Sequence, residues 1–133
     1  MLRVWAEHLP YPELRRPAVL DLLGRGPFHP LIAVRPEDDL DDLAASLKRL
    51  LHAGLEPGIW PLLDRAQGYW PSSETVLPFL ARVDGLLVHL GSRGARPPWI
   101  AVDLEPPLRT VERLAHRPLI GAGELQRMSH TQF

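Results

Sequence analysis

The chain has 133 residues, of which 45% are hydrophobic and 23% are charged, and its formal net charge is −1. This length suits one domain with a single hydrophobic core. The near-zero charge argues against nucleic acid and anionic membrane as partners, because both require a basic surface. The absence of cysteine excludes disulfides and thiolate chemistry. No apolar run is long enough to span a bilayer and no secretory signal is visible, so we expect a cytoplasmic protein.

Short apolar runs alternate with amphipathic stretches along the first half of the chain. Leu2–Ala6 is a compact apolar run, and Pro17–Leu23 is typical of a short helix that glycine ends. The unbroken run 31–34 predicts a strand buried on both faces. The clearest helical pattern follows, with leucines recurring on one face over 40–51. The acidic cluster 37–39 favours the start of this helix over a metal site.

A third strand and a long helix come next. The run Gly58–Leu63 predicts a strand, although Pro61 lacks the N–H group that a central strand donates. Ser72 or Ser73 is suited to cap the following helix, because a serine hydroxyl accepts hydrogen bonds from the first free N–H groups. The apolar stripe of that helix extends over residues 76–87.

The fourth unit completes a repeating order of strand and helix. Trp99–Val102 predicts the last strand, and residues 108–115 predict a short helix. Strands that alternate with helices pair in parallel through right-handed crossovers. The predicted fold class is therefore α/β, an incomplete (half) TIM-like (β/α) barrel of about four βα units, with a doubly wound sheet as the alternative. Residues 1–116 are predicted to form the single domain, and residues 117–133 a poorly patterned C-terminal tail.

Each predicted strand ends in charged residues, and ligand sites of parallel α/β folds lie at those ends. The candidates for substrate binding are Glu7, Arg35, Asp64, Arg65, Tyr69 and Trp70. Aromatic rings there can stack on sugar faces, and arginines can hold a carboxylate or a phosphate. The alternative is that the rings pack against their own loop and the arginines pair with neighbouring acids. Metal-ligand spacing is missing, so neither a metal site nor a cofactor is predicted.

Asp103 and Glu105 are the candidate catalytic residues. Side chains two residues apart on a strand project to the same face, here toward the barrel mouth. Like charges crowded there disfavour double ionisation, which leaves one carboxyl protonated. A protonated carboxyl is what the general acid of glycosidic cleavage requires. The alternative is that both residues merely flank a strand end.

The segment Trp99-Ile100-Ala101-Val102-Asp103-Leu104-Glu105-Pro106 resembles the fourth-strand motif of barrel glycosidases. It is similar to that of the family 25 lysozymes and, more loosely, to that of the family 18 chitinases. The resemblance implies a (β/α)-barrel glycoside hydrolase that cleaves a carbohydrate without a cofactor. It implies Glu105 as the general acid and Asp103 as its partner.

Two other functions stay open at this point. Four units leave an unpaired parallel edge on each side of the sheet. The chain could therefore be a catalytically silent or truncated module that folds by association, with a homodimer completing the barrel. Alternatively, the same strand ends could bind a sugar or a small anion without turnover.

Overall fold

The computed structural model describes residues 2–115, so the predicted tail over residues 117–133 lies outside the described residues. The elements, in chain order, are β1 (Leu2–Ala6), α1 (Tyr11–Leu14), α2 (Pro17–Gly24), β2 (Phe28–Val34), α3 (Leu40–His52), β3 (Gly58–Pro61), a 3-10 turn (Arg65–Gln67), α4 (Val76–Ser92), β4 (Trp99–Ile100) and α5 (Leu108–Ala115). The strands form one all-parallel sheet in the order β1-β2-β3-β4. The predicted α/β class is confirmed.

The register of the sheet places a row of apolar side chains toward the helices. Ala6, Ile32, Ile59 and Ile100 lie level with one another across the four strands. Ile32 and Ile59 are fully buried in a core that also holds leucines from α1, α2, α3 and α4. Crossovers of one handedness that all advance in the same direction place their helices on one face of the sheet. The buried core identifies this as the face that carries Ile32 and Ile59.

α3 supplies the largest share of the helical side of this core. Leu43, Leu47 and Leu50 are fully buried, and their spacing places them on one face of the helix. Asp39 caps the helix, because its Oδ1 accepts hydrogen bonds from the N–H groups of the second and third residues after it, at 2.8 and 3.1 Å. The helix-start interpretation of the acidic cluster is therefore confirmed at Asp39.

An ion-pair cluster connects α3 to the end of α4. Asp41, in the first turn of α3, contacts Arg93, and its carboxylate lies 3.5 Å from His89 Nε2. Hydrogen bonding to the Arg93 guanidinium holds the pKa of the Asp41 carboxyl below its usual value. Asp41 and Arg93 are exposed, so the contribution of their ion pair to stability is small and screened by salt.

β3 and β4 are both shorter than predicted, ending at Pro61 and Ile100. The sheet accommodates Pro61 because of the side to which it points. The Ile59 carbonyl accepts a hydrogen bond from the Ala101 N–H at 2.8 Å, so Ile59 faces β4. The backbone nitrogen of Pro61, two residues later, faces the same side of β3 but lies beyond the last paired residue of β4. No neighbouring strand therefore needs an N–H donor from Pro61.

The predicted serine cap of α4 is wrong. The helix begins at Val76, with Thr75 at the cap position and no side-chain cap. Thr75 Oγ1 instead accepts a hydrogen bond from the Ser72 N–H at 2.7 Å and donates one to the Trp70 carbonyl at 2.9 Å. The two hydroxyl residues therefore fix the loop before α4 rather than its first turn.

The sheet face opposite the helices carries aromatic side chains. Trp5, Leu31, Gly58 and Trp99 form a level row one residue out of phase with the core row, so they point to this other face. Trp60 joins them and packs edge to face on Trp5, with ring centroids 4.7 Å apart. Gly58 lies in the middle of the row, and a Cβ at this position would lie 2.5 Å from Leu31 Cδ2 and 3.1 Å from Trp99 Cβ, so a larger residue there would force these side chains to shift.

Candidate functional site

The carboxyl ends of the strands carry two groups of polar side chains. The first group follows β1 and β2 and includes the predicted residues Glu7 and Arg35. The second follows β3 and β4, and its predicted residues are Asp64, Arg65, Tyr69, Trp70, Asp103 and Glu105. All eight candidates therefore lie at the sheet edge where parallel α/β folds place their ligand sites.

Arg35 is the centre of the first group. Its guanidinium donates a hydrogen bond to the Glu7 carbonyl at 2.9 Å and lies 4.0 Å from the Glu7 carboxylate. The same nitrogen lies 3.4 Å from His8 Nδ1. Arg82, on α4, donates a hydrogen bond to the Arg35 carbonyl at 2.7 Å. These contacts correspond to the alternative interpretation of Arg35, in which the arginine pairs with a neighbouring acid.

Sequence reasoning missed two members of the first group, Tyr11 and Asp38. The Tyr11 hydroxyl donates to Asp38 Oδ2 at 2.6 Å and lies 2.9 Å from the Ala33 carbonyl oxygen. Asp38 also accepts a hydrogen bond from the Arg35 N–H at 2.6 Å. Burial, reinforced by the neighbouring Asp38 carboxylate, raises the pKa of Tyr11 far above its ordinary value.

A signal for this pair was present in the sequence. Tyr11 follows the first predicted strand and Asp38 the second, and the ends of neighbouring parallel strands meet at one edge. With Glu7, His8 and Arg35 they line a cleft of about 220 Å³. The polar and charged side chains that line this cleft contact one another, so we interpret them as a structural network and not as a ligand site.

The loop after β3 presents the two predicted aromatic residues. The Tyr69 and Trp70 rings pack edge to face, with centroids 5.5 Å apart. Tyr69 has a φ of 64°, a left-handed conformation that is unfavourable for a bulky residue. Two main-chain hydrogen bonds hold it there, from the Leu63 N–H to the Tyr69 carbonyl at 2.8 Å and from the Tyr69 N–H to the Asp64 carbonyl at 3.1 Å. Asp64 also caps the 3-10 turn through its side chain, which accepts from the Ala66 N–H.

The two predicted catalytic residues lie in the segment after β4. Because β4 ends at Ile100, Asp103 and Glu105 are not on a paired strand, and the common face expected for them stays a prediction. Asp103 is half-buried and Glu105 is exposed. Among residues 2–115, neither carboxylate has a hydrogen-bond or ion-pair partner.

Two hydrogen bonds join the loop after β3 to the segment after β4. The Trp70 indole N–H donates to the Pro106 carbonyl at 2.8 Å. The Glu105 N–H donates to the Pro71 carbonyl at 3.3 Å. The aromatic pair and the acidic pair were predicted from separate parts of the sequence, and these contacts bring them to one corner of the sheet edge, called the β3–β4 corner below.

Arg65 lies beside the β3–β4 corner and pairs with an acid from a more distant part of the chain than expected. Its guanidinium is 3.4 Å from the Glu112 carboxylate on α5, while Arg109 contacts Glu74. These four charged side chains help to line a cavity of about 320 Å³. The cavity walls do not include the acidic pair or the aromatic pair, so the cavity adjoins the β3–β4 corner without being part of it.

No protein-family model, curated protein or solved structure matches this chain. Within residues 2–115, no set of three or more histidine and acidic side chains is arranged to hold a metal ion. Among the helices of the same residues, none has both the length and the apolar composition needed to cross a membrane. A function must therefore be argued from the geometry of the sheet edge.

Proposed function

We propose that the β3–β4 corner binds a carbohydrate and that Glu105 and Asp103 catalyse acid-assisted hydrolysis of a glycosidic bond there. The observation that carries this proposal is the hydrogen bond of 2.8 Å from the Trp70 indole to the Pro106 carbonyl. It fixes an aromatic ring beside the segment that holds both carboxyl groups. Aromatic rings bind the apolar faces of sugars, while carboxylates bind their hydroxyl groups.

The reaction assigns a separate role to each carboxyl group. Glu105 donates its proton to the glycosidic oxygen as the bond from that oxygen to the anomeric carbon breaks. The Asp103 carboxylate stabilises the positive charge that develops on the anomeric carbon. Water then adds to this carbon and returns a proton to Glu105. The proposal is supported by the absence of a hydrogen-bond or ion-pair partner for either carboxylate among residues 2–115.

The proposal includes the finer fold, half of a (β/α) barrel. The order β1-β2-β3-β4 supports it, since the strands of such a barrel follow one another in sequence order. A doubly wound sheet instead reverses its strand order at a switch point. The described sheet, which comprises residues between 2 and 100, contains no reversal.

The first test is the variant Glu105→Gln, which removes the donated proton and keeps the shape of the side chain. We expect the wild-type chain to release reducing sugars from peptidoglycan or chitin oligosaccharides. The variant should lose about a hundredfold or more in kcat, the usual contribution of a general acid. The matched control is Glu37→Gln, at an exposed position before α3, which should keep full activity. Circular dichroism should show the same folded content in all three proteins.

Either of two results would contradict the catalytic proposal. One is a wild-type chain that turns over none of these substrates. The other is a Glu105→Gln variant as active as the Glu37→Gln control.

Binding without turnover is the second candidate function, and the exposure of Glu105 favours it. Glycosidase acids are usually kept protonated by an apolar environment, whereas the Glu105 side chain faces solvent. Titration calorimetry with the same oligosaccharides separates the two functions. A binding protein should show saturable heat without product and an affinity that Trp70→Ala weakens.

A further inference from the structure

One face of the sheet lacks the helical cover that the other has. Parallel sheets of α/β proteins are normally covered on both faces, and here α1 to α4 pack on one. Trp5, Trp60 and Trp99 surround Leu31 on the opposite face, which we call the tryptophan face. Trp5 and Trp99 are 52% and 48% exposed. The Trp60 indole N–H is buried there without a hydrogen-bond partner among residues 2–115.

We propose that the tryptophan face binds the same face of a second copy of this chain, closing the two sheets into one barrel of eight parallel strands. β1 and β4 are the two edges of the described sheet, and they run in the same direction. A two-fold axis along the strands preserves this direction, so β4 of each copy lies beside β1 of the other. Both pairs of edges then become paired at once, which removes the exposed edges.

The charge on this face permits the contact. Two charged side chains contact Trp99. The Arg3 guanidinium lies 4.3 Å from the centroid of its ring, and the Glu56 carboxylate accepts a hydrogen bond from its indole N–H at 3.3 Å. Arg3 also donates to the Glu56 carbonyl at 3.1 Å and lies 3.9 Å from its carboxylate. Two copies with paired arginines and a net charge of −1 each meet without strong repulsion.

The exposed apolar area of the tryptophan face favours a second copy of this chain as its partner. A stable interface buries about 800 Å² on each partner. Each half-exposed tryptophan supplies about 100 Å² to its centre. Val102 and Leu104, in the segment after β4, are further exposed apolar side chains, at 49% and 77%.

Light scattering on the 133-residue chain tests this proposal. The wild-type protein should have a mass of twice 15.0 kDa and should dissociate on dilution. Trp5→Glu should be a folded monomer, because it places a charge in the centre of the contact. The matched control Val88→Glu adds the same charge at a 74% exposed position on α4 and should stay dimeric. The catalytic variant Glu105→Gln should also stay dimeric, so this test is independent of the proposed activity.

Hydrogen exchange on the wild-type chain keeps the proposal testable if Trp5→Glu does not fold. Peptides that contain β1 and β4 should exchange more slowly in concentrated than in dilute protein, while α3 should be unaffected. A chain that is monomeric throughout the dilution series would overturn the proposal.

Discussion

Tyr11 shows how one residue can connect several elements. Its hydroxyl contacts the end of β2 at Ala33 and the Asp38 carboxylate, and its carbonyl accepts a hydrogen bond from Ser46 Oγ on α3 at 2.7 Å. The phenol is the only donor to Asp38 from a side chain among residues 2–115. Tyr11 therefore couples the first βα unit to the second through polar contacts as well as through packing.

The variant Tyr11→Phe should destabilise the chain at neutral pH. It leaves Asp38 and the Ala33 carbonyl without the phenol donor, which should lower the free energy of unfolding by about 1–3 kcal/mol. The measurement is urea unfolding followed by circular dichroism. Tyr69→Phe, which changes the only other tyrosine, serves as the control and should leave this polar network intact.

The same variant carries a pH dependence whose sign follows from the raised pKa of Tyr11. In the unfolded chain a tyrosine side chain has a pKa of about 10, whereas Tyr11 in the folded chain keeps its proton to higher pH. The contribution of Tyr11 to stability is therefore complete below about pH 10 and is lost as the pH rises further. This part of the alkaline loss should disappear in Tyr11→Phe and persist in Tyr69→Phe. Equal alkaline profiles for wild type and Tyr11→Phe would refute the assignment.

Local residues were easier to predict than distant partners. The cap at Asp39 follows from its place before a helical stripe, because it bonds N–H groups two and three residues away. The partner of Asp38 lies 27 residues earlier in the chain, and only the pairing of β1 with β2 brings it near. The Glu112 partner of Arg65 was missed for the same reason.

At the scale of elements, the sequence predicts which elements exist better than where they end. β1 and α5 have the predicted bounds, whereas β2 begins at Phe28, three residues before the buried run. The extra residues of β2 are paired with β1 from Leu2 onward, so the neighbouring strand determines where β2 begins. For β4, the Ala101 N–H makes the last bond to β3, and the chain then turns toward the β3–β4 corner.

α4 offers a prediction about helix stability. Gly85 lies in its interior, and a Cβ added there meets no heavy atom within 4 Å. Gly85→Ala should therefore raise the free energy of unfolding by about 0.5–1 kcal/mol, since alanine loses less conformational entropy in a helix. Gly54, after α3, has a φ of +76°, and Gly54→Ala should lower the stability instead. Thermal unfolding of both variants measures these shifts, and shifts of the same sign would contradict the argument.

At the scale of the whole molecule, the two faces of the sheet differ in what the sequence could predict. The helix face follows from amphipathic periodicity, since leucine stripes on α3 and α4 identify the side that packs on the sheet. The tryptophan face gives no such pattern, because central strands are apolar on both faces. The β3–β4 corner could be predicted from the sequence only in part. Its residues were predicted as strand-end candidates, but the hydrogen bond from Trp70 to Pro106 depends on how two loops meet.

A core that belongs to one copy and a face that two copies share should respond differently to protein concentration. Leu47 is fully buried among the helices, so Leu47→Ala should lower the free energy of unfolding by about 2–5 kcal/mol at every protein concentration. Trp99 is 48% exposed on the tryptophan face. If a second copy covers that face, association stabilises the folded chain by mass action, and the loss caused by Trp99→Ala should grow with concentration. Urea unfolding of both variants over a dilution series measures the difference. A loss in Trp99→Ala that is as independent of concentration as that in Leu47→Ala would mean that no second copy covers this side chain.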